Sequence, residues 1–143
     1  MEDKNIRAMG GGLYQFTVKT TGHAQLVDIT DEVQEIVRSS GVTHGVCVVF
    51  VPHTTAAVTI NENADPDVKA DLLRELDRVV PWEDGYRHAE GNSAAHLKAS
   101  MLGASETVVI YAGRLALGTW QGVYLAEFDG SRKRTVYVKL LAG

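Results

Sequence analysis

Three histidines set the chemical question in this sequence. His53 stands in P-H-T-T-A-A-V-T-I-N-E at 52–62, His88 in Y-R-H at 86–88, and His96 in G-N-S-A-A-H-L at 91–97. Three imidazoles around an open fourth position form a catalytic-type metal arrangement, which Glu62 or Glu90 can complete or orient. Without a metal, the same rings can shuttle a proton. His96 falls in the first turn of an expected helix. The N–H groups and dipole there disfavour a positive ring and preserve a lone pair. The spacing itself is not diagnostic, because the chain has no H-E-x-x-H and no cysteine pair. A plainer reading has His53 bonded to a turn, His88 in solvent and His96 capping backbone groups. His23 and His44, both near turns, are read as structural.

Candidate acids and bases are Glu62, Glu83, Asp84, Glu90, Glu127 and Asp129. Glu62 and Glu127 stand out because each lies in or just after an apolar strand. A carboxylate there must be paired or hydrogen-bonded, and such surroundings shift a pKa. A structural ion pair with Arg114 or Arg134 is the competing reading. The stretch G-R-L-A-L-G-T-W-Q-G at 113–122 offers close backbone approach, hydrogen bonds from Thr119 and Gln121, and the flat face of Trp120. It suits a heteroaromatic ring, although a core tryptophan between turn glycines explains it equally. Arg132, Lys133 and Arg134 sit on an expected hairpin tip after Asp129-Gly130, either seating a phosphate or simply solvated. No P-loop, G-x-G-x-x-G or nucleophile elbow is present.

These groups need elements to carry them. Alternation of Tyr14, Phe16 and Val18 predicts a strand over 13–19, and a short one follows at 26–29. A helix opens at Thr30 with Asp31 and Glu32 in its first turn, buries Val33, Ile36 and Val37, and ends at Gly41. The run V-C-V-V-F-V at 46–51 reads as a buried central strand, followed by a second over 56–60. His53, Thr54, Thr55, Asn61 and Glu62 thus cluster near strand ends, where binding groups are usually mounted. Asp65 and Pro66 start the next helix, with Val68, Leu72, Leu76 and Val79 facing a sheet, and Pro81 stops it. Residues 82–92 form an irregular loop rich in polar groups. A third helix, capped by Asn92 or Ser93, turns Leu97 and Met101 inward and stops at Gly103. Strands at 106–112, 119–128 and 134–141 close the chain. The order ββαββααβββ predicts an α+β fold, a mixed or antiparallel β-sandwich with three helices.

The 143 residues suffice for one core, with 45% apolar and 22% charged side chains. Residues 1–12 are expected to be a flexible lead-in and 13–143 a single domain. A net charge of −4 without a basic block argues against nucleic-acid binding. No apolar run reaches membrane-spanning length. Cys47 stands alone in an apolar run, which with the absence of a signal peptide predicts a cytoplasmic protein.

The stretches 53–62, 86–88 and 91–97, with A-D-P at 64–66, G-R-L-A-L-G-T-W-Q at 113–121 and E-F-D-G-S-R-K-R at 127–134, resemble the YjbQ-like family. Parts of that family are described as secondary thiamine-phosphate synthase. The match runs from about Leu13 to Leu141, leaving the first dozen residues outside it. The resemblance implies a small α+β sandwich that assembles as a homotrimer with its site near subunit contacts. It also implies a polar cluster of His53, His88 and His96 with Glu62, Asn92, Gln121 and Glu127 nearby, suited to a divalent metal such as zinc or magnesium. The implied activity joins a pyrimidine methyl diphosphate to a thiazole phosphate and releases pyrophosphate. In that reaction Arg132 and Arg134 neutralise charge and Trp120 stacks the pyrimidine. Thr54, Asn61, Asn92 and Gln121 complete the substrate contacts. A metal-dependent hydrolase and a non-catalytic trimeric small-molecule-binding protein are the alternatives.

Overall fold

The computed structural model describes residues 5–143. In chain order its elements are β1 (Arg7–Gly10), β2 (Leu13–Lys19), β3 (Gln25–Asp28), α1 (Thr30–Ser40), β4 (Gly45–Phe50), β5 (Ala56–Glu62), α2 (Pro66–Val79), α3 (Ser93–Leu102), β6 (Ser105–Tyr111), β7 (Arg114–Leu115), β8 (Gln121–Glu127) and β9 (Lys133–Ala142). One six-stranded sheet has the order β1-β2-β9-β4-β6-β7, and a three-stranded sheet has the order β3-β8-β5. All neighbouring strands pair antiparallel. The α+β sandwich and its three helices are as the sequence predicts.

The main core fills the space between the sheets. Phe16, Val49, Val136 and Val138 from the large sheet meet Val58, Val123 and Leu125 from the small one, with Val33, Ile36 and Val37 of α1. Strand β8 is buried on both faces. Its Val123 and Leu125 enter this core, while Tyr124 and Ala126 enter a second core with Ala57, Ala95, Ala99 and Phe128. Helices α2 and α3 cover that second face, with Leu72, Leu73 and Leu76 packed against it. The Lys98 ammonium crosses from α3 to Asp77 on α2 at 3.2 Å and lies over the Phe128 ring. Burial pushes the Cys47 thiol up to about 12, as suits an inert core residue.

Four expectations need correction. Of the predicted lead-in, residues 1–4 lie outside the described residues, but Arg7–Gly10 pairs with β2 as strand β1. Gly10, at the end of that strand, with Gly11 and Gly12 after it, all at positive φ, makes the turn of this hairpin rather than a loose tail. Asp129-Gly130 is not a hairpin between paired strands: β8 and β9 belong to different sheets, so residues 128–132 cross the sandwich. Leu97 and Met101 point outward, 45% and 56% exposed, because α3 packs through its small face at Ala94, Ala95 and Ala99. Val79 of α2 is likewise exposed. Asp65 does cap α2, its side chain accepting from the Asp67 N–H at 2.9 Å with Pro66 next in line.

The central strand begins at a forced glycine. Gly45 has φ +150°, and a Cβ built on it would lie 2.0 Å from the Leu141 carbonyl oxygen on β9. Gly45→Ala is expected to cost about 1–3 kcal/mol through backbone strain. A lower urea midpoint at unchanged slope would report it.

Candidate functional site

Strand β4 ends at Phe50, and its register with β9 would set Pro52 opposite Thr135. Proline has no N–H, and the chain turns away there, so the Thr135 N–H loses its ladder partner. His53 takes that place: its Nε2 accepts from the Thr135 N–H at 2.8 Å. A neutral imidazole accepting at Nε2 carries its proton on Nδ1. Burial first, then the Arg134 charge and more weakly Arg132, hold the His53 pKa below its ordinary value against the opposing pull of Glu127. The ring therefore stays neutral, with its one N–H at Nδ1, and it lines a cavity. That cavity, of about 320 Å³, also has Thr54, Ser100 and His96 on its walls.

His96 faces a second cavity as well, of about 390 Å³, shared with Tyr86, Arg87, His88 and Ser93. The His88 and His96 rings meet edge to face, with centroids 5.2 Å apart. The loop before α3 is tied down at two points. Tyr86 Oη donates to the Pro81 carbonyl at 2.6 Å, and Trp82 packs edge-on against His23 at 4.4 Å. Asn92 precedes α3 but does not cap it with its side chain. Its Nδ2 donates to Asp129 Oδ2 at 2.9 Å, while its Oδ1 is buried with no donor. A buried acceptor left unmatched is costly, and a ligand donor there would relieve it. His44 lies apart, edge-on to Tyr111.

Glu127 and Arg134 are 0% and 3% exposed and form one buried pair. Arg134 Nε donates to Glu127 Oε1 at 2.9 Å and its Nη2 donates to Oε2. Thr20 Oγ1 and the Asp129 N–H complete the carboxylate at 2.8 and 3.0 Å, and Arg134 also donates to Thr55 Oγ1 at 2.9 Å. These two residues were expected as a catalytic group and a substrate contact. The structure makes them the hub joining β8, β9 and the turn before β5, with both carboxylate oxygens and the Arg134 Nε and Nη2 already engaged. Burial alone would raise the Glu127 pKa. The hydrogen bonds from Arg134, Asp129 and Thr20, with the Arg134 charge, hold it below the ordinary carboxylate value instead.

Both depressed groups give stability of the same sign. Each binds its proton less readily in the native chain than in the unfolded one. The Glu127 contribution is full above its ordinary 4.5 and fades as pH falls through the native value. The His53 contribution is full above its ordinary 6.5 and fades likewise. The urea midpoint is expected to drop from pH 7 to pH 4, with His53→Gln flattening the part just below pH 6.5.

Arg132 stays half-exposed, its Nε donating to the Asp129 carbonyl at 2.8 Å and its Nη2 to Asp129 Oδ2 at 3.2 Å. Thr54 lines the His53 cavity. Asn61, Glu62, Trp120 and Gln121 are not part of this cluster within one chain. Ala56 pairs with Glu127 at one end of the small sheet, and Glu62 pairs with Gln121 at the other. Seven extended residues separate the ends by about 20 Å. Asn61 Oδ1, Glu62 Oε2 and Gln121 Oε1 accept from nearby backbone N–H groups, and Trp120 is 62% exposed. Ser93 and Ser100 reach the cavities unforeseen, although their helical spacing of three and four from His96 marks the shared face.

The three-imidazole metal set does not fit this geometry. His53 Nε2, its lone-pair nitrogen, is committed to Thr135, leaving the His88–His96 pair. Among the described residues no group of three or more His, Cys, Asp or Glu is placed to hold a metal ion.

A two-sheet α+β sandwich with a histidine-lined cleft at the start of α3 defines the class. The chain belongs to the UPF0047 protein YjbQ-like family, whose model matches residues 14–143. It is 54% identical over 125 residues to the UPF0047 protein YugU of Bacillus subtilis (strain 168), covering 87% of this chain and 95% of that protein. The UPF0047 protein MJ1081 of Methanocaldococcus jannaschii is 47% identical over 129 residues, covering 90% and 94%. Among solved structures, a YjbQ/UPF0047-family protein from Clostridium acetobutylicum superposes with TM-score 0.88 at 54% identity, covering 89% of this chain and 98% of that one. A protein from Sulfolobus solfataricus P2 gives TM-score 0.88 at 36% identity, covering 92% and 96%. Among the described residues no helix is long and apolar enough to cross a membrane.

Proposed function

We propose that this protein is a group-transfer enzyme of the thiamine-phosphate synthase type, acting on phosphorylated small molecules at the cleft around His96. The observation that carries the reading is that His96 forms the common wall of two cavities, with His53 on one and His88 on the other. Two cavities suit two substrates. In the reaction the carbon–oxygen bond of a pyrimidine methyl diphosphate breaks, and the thiazole nitrogen takes the methylene carbon through its lone pair. Pyrophosphate leaves with the electron pair of the broken bond. Arg87, on the wall of the cavity that His96 shares with His88, can offset the charge that builds on it. The Nδ1–H of neutral His53 adds a donor, and His96 or His88 can deliver a proton to the pyrophosphate oxygen as it leaves. No step needs a metal.

Trp120 and Glu62 lie a strand length from this cleft, so in this reading they serve a neighbouring subunit's substrate and the working form is a homotrimer. Sedimentation at micromolar concentration tests the assembly. Incubation with the two precursors, followed by mass spectrometry for thiamine phosphate, tests the chemistry. Product that scales with enzyme supports the transfer. Precursor binding without product would instead make the cleft a ligand-binding site, and neither would overturn the reading.

A further inference from the structure

Lys19 and Lys133 stand directly opposite each other where β2 and β9 pair. Side chains at opposed positions share a face with Cβ atoms about 4.5–5.5 Å apart, so two ammonium groups there repel. The neighbouring pair, Val18 and Arg134, turns inward to the core, which puts both lysines on the outer face. Among the described residues neither lysine has a carboxylate within ion-pair distance. Both line a cavity of about 500 Å³ whose remaining walls are Thr20, Thr21, Ser131 and Arg132, with no aliphatic or aromatic side chain. They also line an adjoining one of about 310 Å³. Arg132 is drawn toward Asp129, so the lysines supply the groove's free charge. Thr21 Oγ1 already accepts from Gln25 Nε2 at 3.0 Å, which leaves its own hydrogen to donate.

We propose that this groove is a second anion site, separate from the histidine cleft, that takes a soluble phosphate or phosphate monoester dianion. An anion between the two ammonium groups turns their mutual repulsion into two charge-assisted hydrogen bonds, with the Thr21 and Ser131 hydroxyls beside them. The buried Glu127–Arg134 pair separates the two sites. Thr20 holds Glu127 from the groove side, and Thr55, between the cleft residues Thr54 and Ala56 in sequence, holds Arg134. A soluble anion is favoured over a lipid head group because among the described residues no aliphatic or aromatic one lines the groove to hold an acyl chain.

Thermal unfolding titrated with inorganic phosphate at constant ionic strength tests the site. The midpoint is expected to rise and saturate. K19Q/K133Q should weaken the apparent affinity by about tenfold or more, the loss of two charge-assisted bonds. K19R/K133R and H53Q/H96Q should both keep the response. Three results would each overturn the proposal: an equal response to chloride, an undiminished response in K19Q/K133Q, or binding of phosphatidic acid vesicles without a response to free phosphate. Loss of the response in H53Q/H96Q alone would move the anion to the histidine cleft. That result would overturn the groove while leaving the proposed function standing.

Discussion

Glu127→Ala is expected to destabilise the protein by about 3–5 kcal/mol, because it leaves the Arg134 guanidinium buried and uncompensated. Three donors lose the carboxylate at once: Arg134, which keeps only Thr55, the Thr20 hydroxyl, which keeps only the Arg132 carbonyl, and the Asp129 N–H. Arg134→Ala should cost a similar amount by stranding the carboxylate. Removing one flanking hydroxyl, as in Thr20→Val, should cost only about 1–3 kcal/mol. Glu127→Leu with Arg134→Met should recover much of the loss, since a buried pair is often replaceable by packed hydrocarbon. Urea titrations of the four variants settle the point. If Glu127→Ala is as stable as the parent, the pair is not the hub described here.

His96→Ala is expected to lower kcat for the proposed transfer by about 10²–10⁴-fold, the range for losing a positioned proton-transfer group. Stability should change little, because the ring is only partly buried and among the described residues its side chain takes part in no hydrogen bond. His53→Ala is a different experiment. It removes the acceptor of the Thr135 N–H and should cost about 1–3 kcal/mol of stability. Its activity must therefore be read where the fold remains populated. Comparison of kcat with circular dichroism for both variants separates the two roles. Unchanged kcat in His96→Ala would remove that ring from the chemistry.

The sequence makes the elements legible wherever a local signal suffices. Asp65-Pro66 marks a helix start through its own side chain and its missing N–H, and the apolar runs mark the strands. What it hides is tertiary. The doubly buried β8 and the crossover at 128–132 depend on which sheet each strand joins, and turn residues look the same in either case. The phase of α3 is illegible because alanines, Leu97 and Met101 leave apolar residues on most of its faces, and close approach then selects the small ones. His53 and Glu62 are neighbours in sequence, yet β5 is extended between them and carries them apart. The partner of His53, a backbone N–H on β9, is 82 positions away and leaves no mark on the local pattern.

The histidine cleft as the substrate site is the central claim, and ring nitrogen NMR of the ¹⁵N-labelled protein tests it most directly. On adding pyrophosphate, the His88 and His96 ring signals are predicted to move together and saturate, while those of His44, edge-on to the distant Tyr111, stay fixed. Unmoved His88 and His96 rings, or equal shifts in all three, would contradict it.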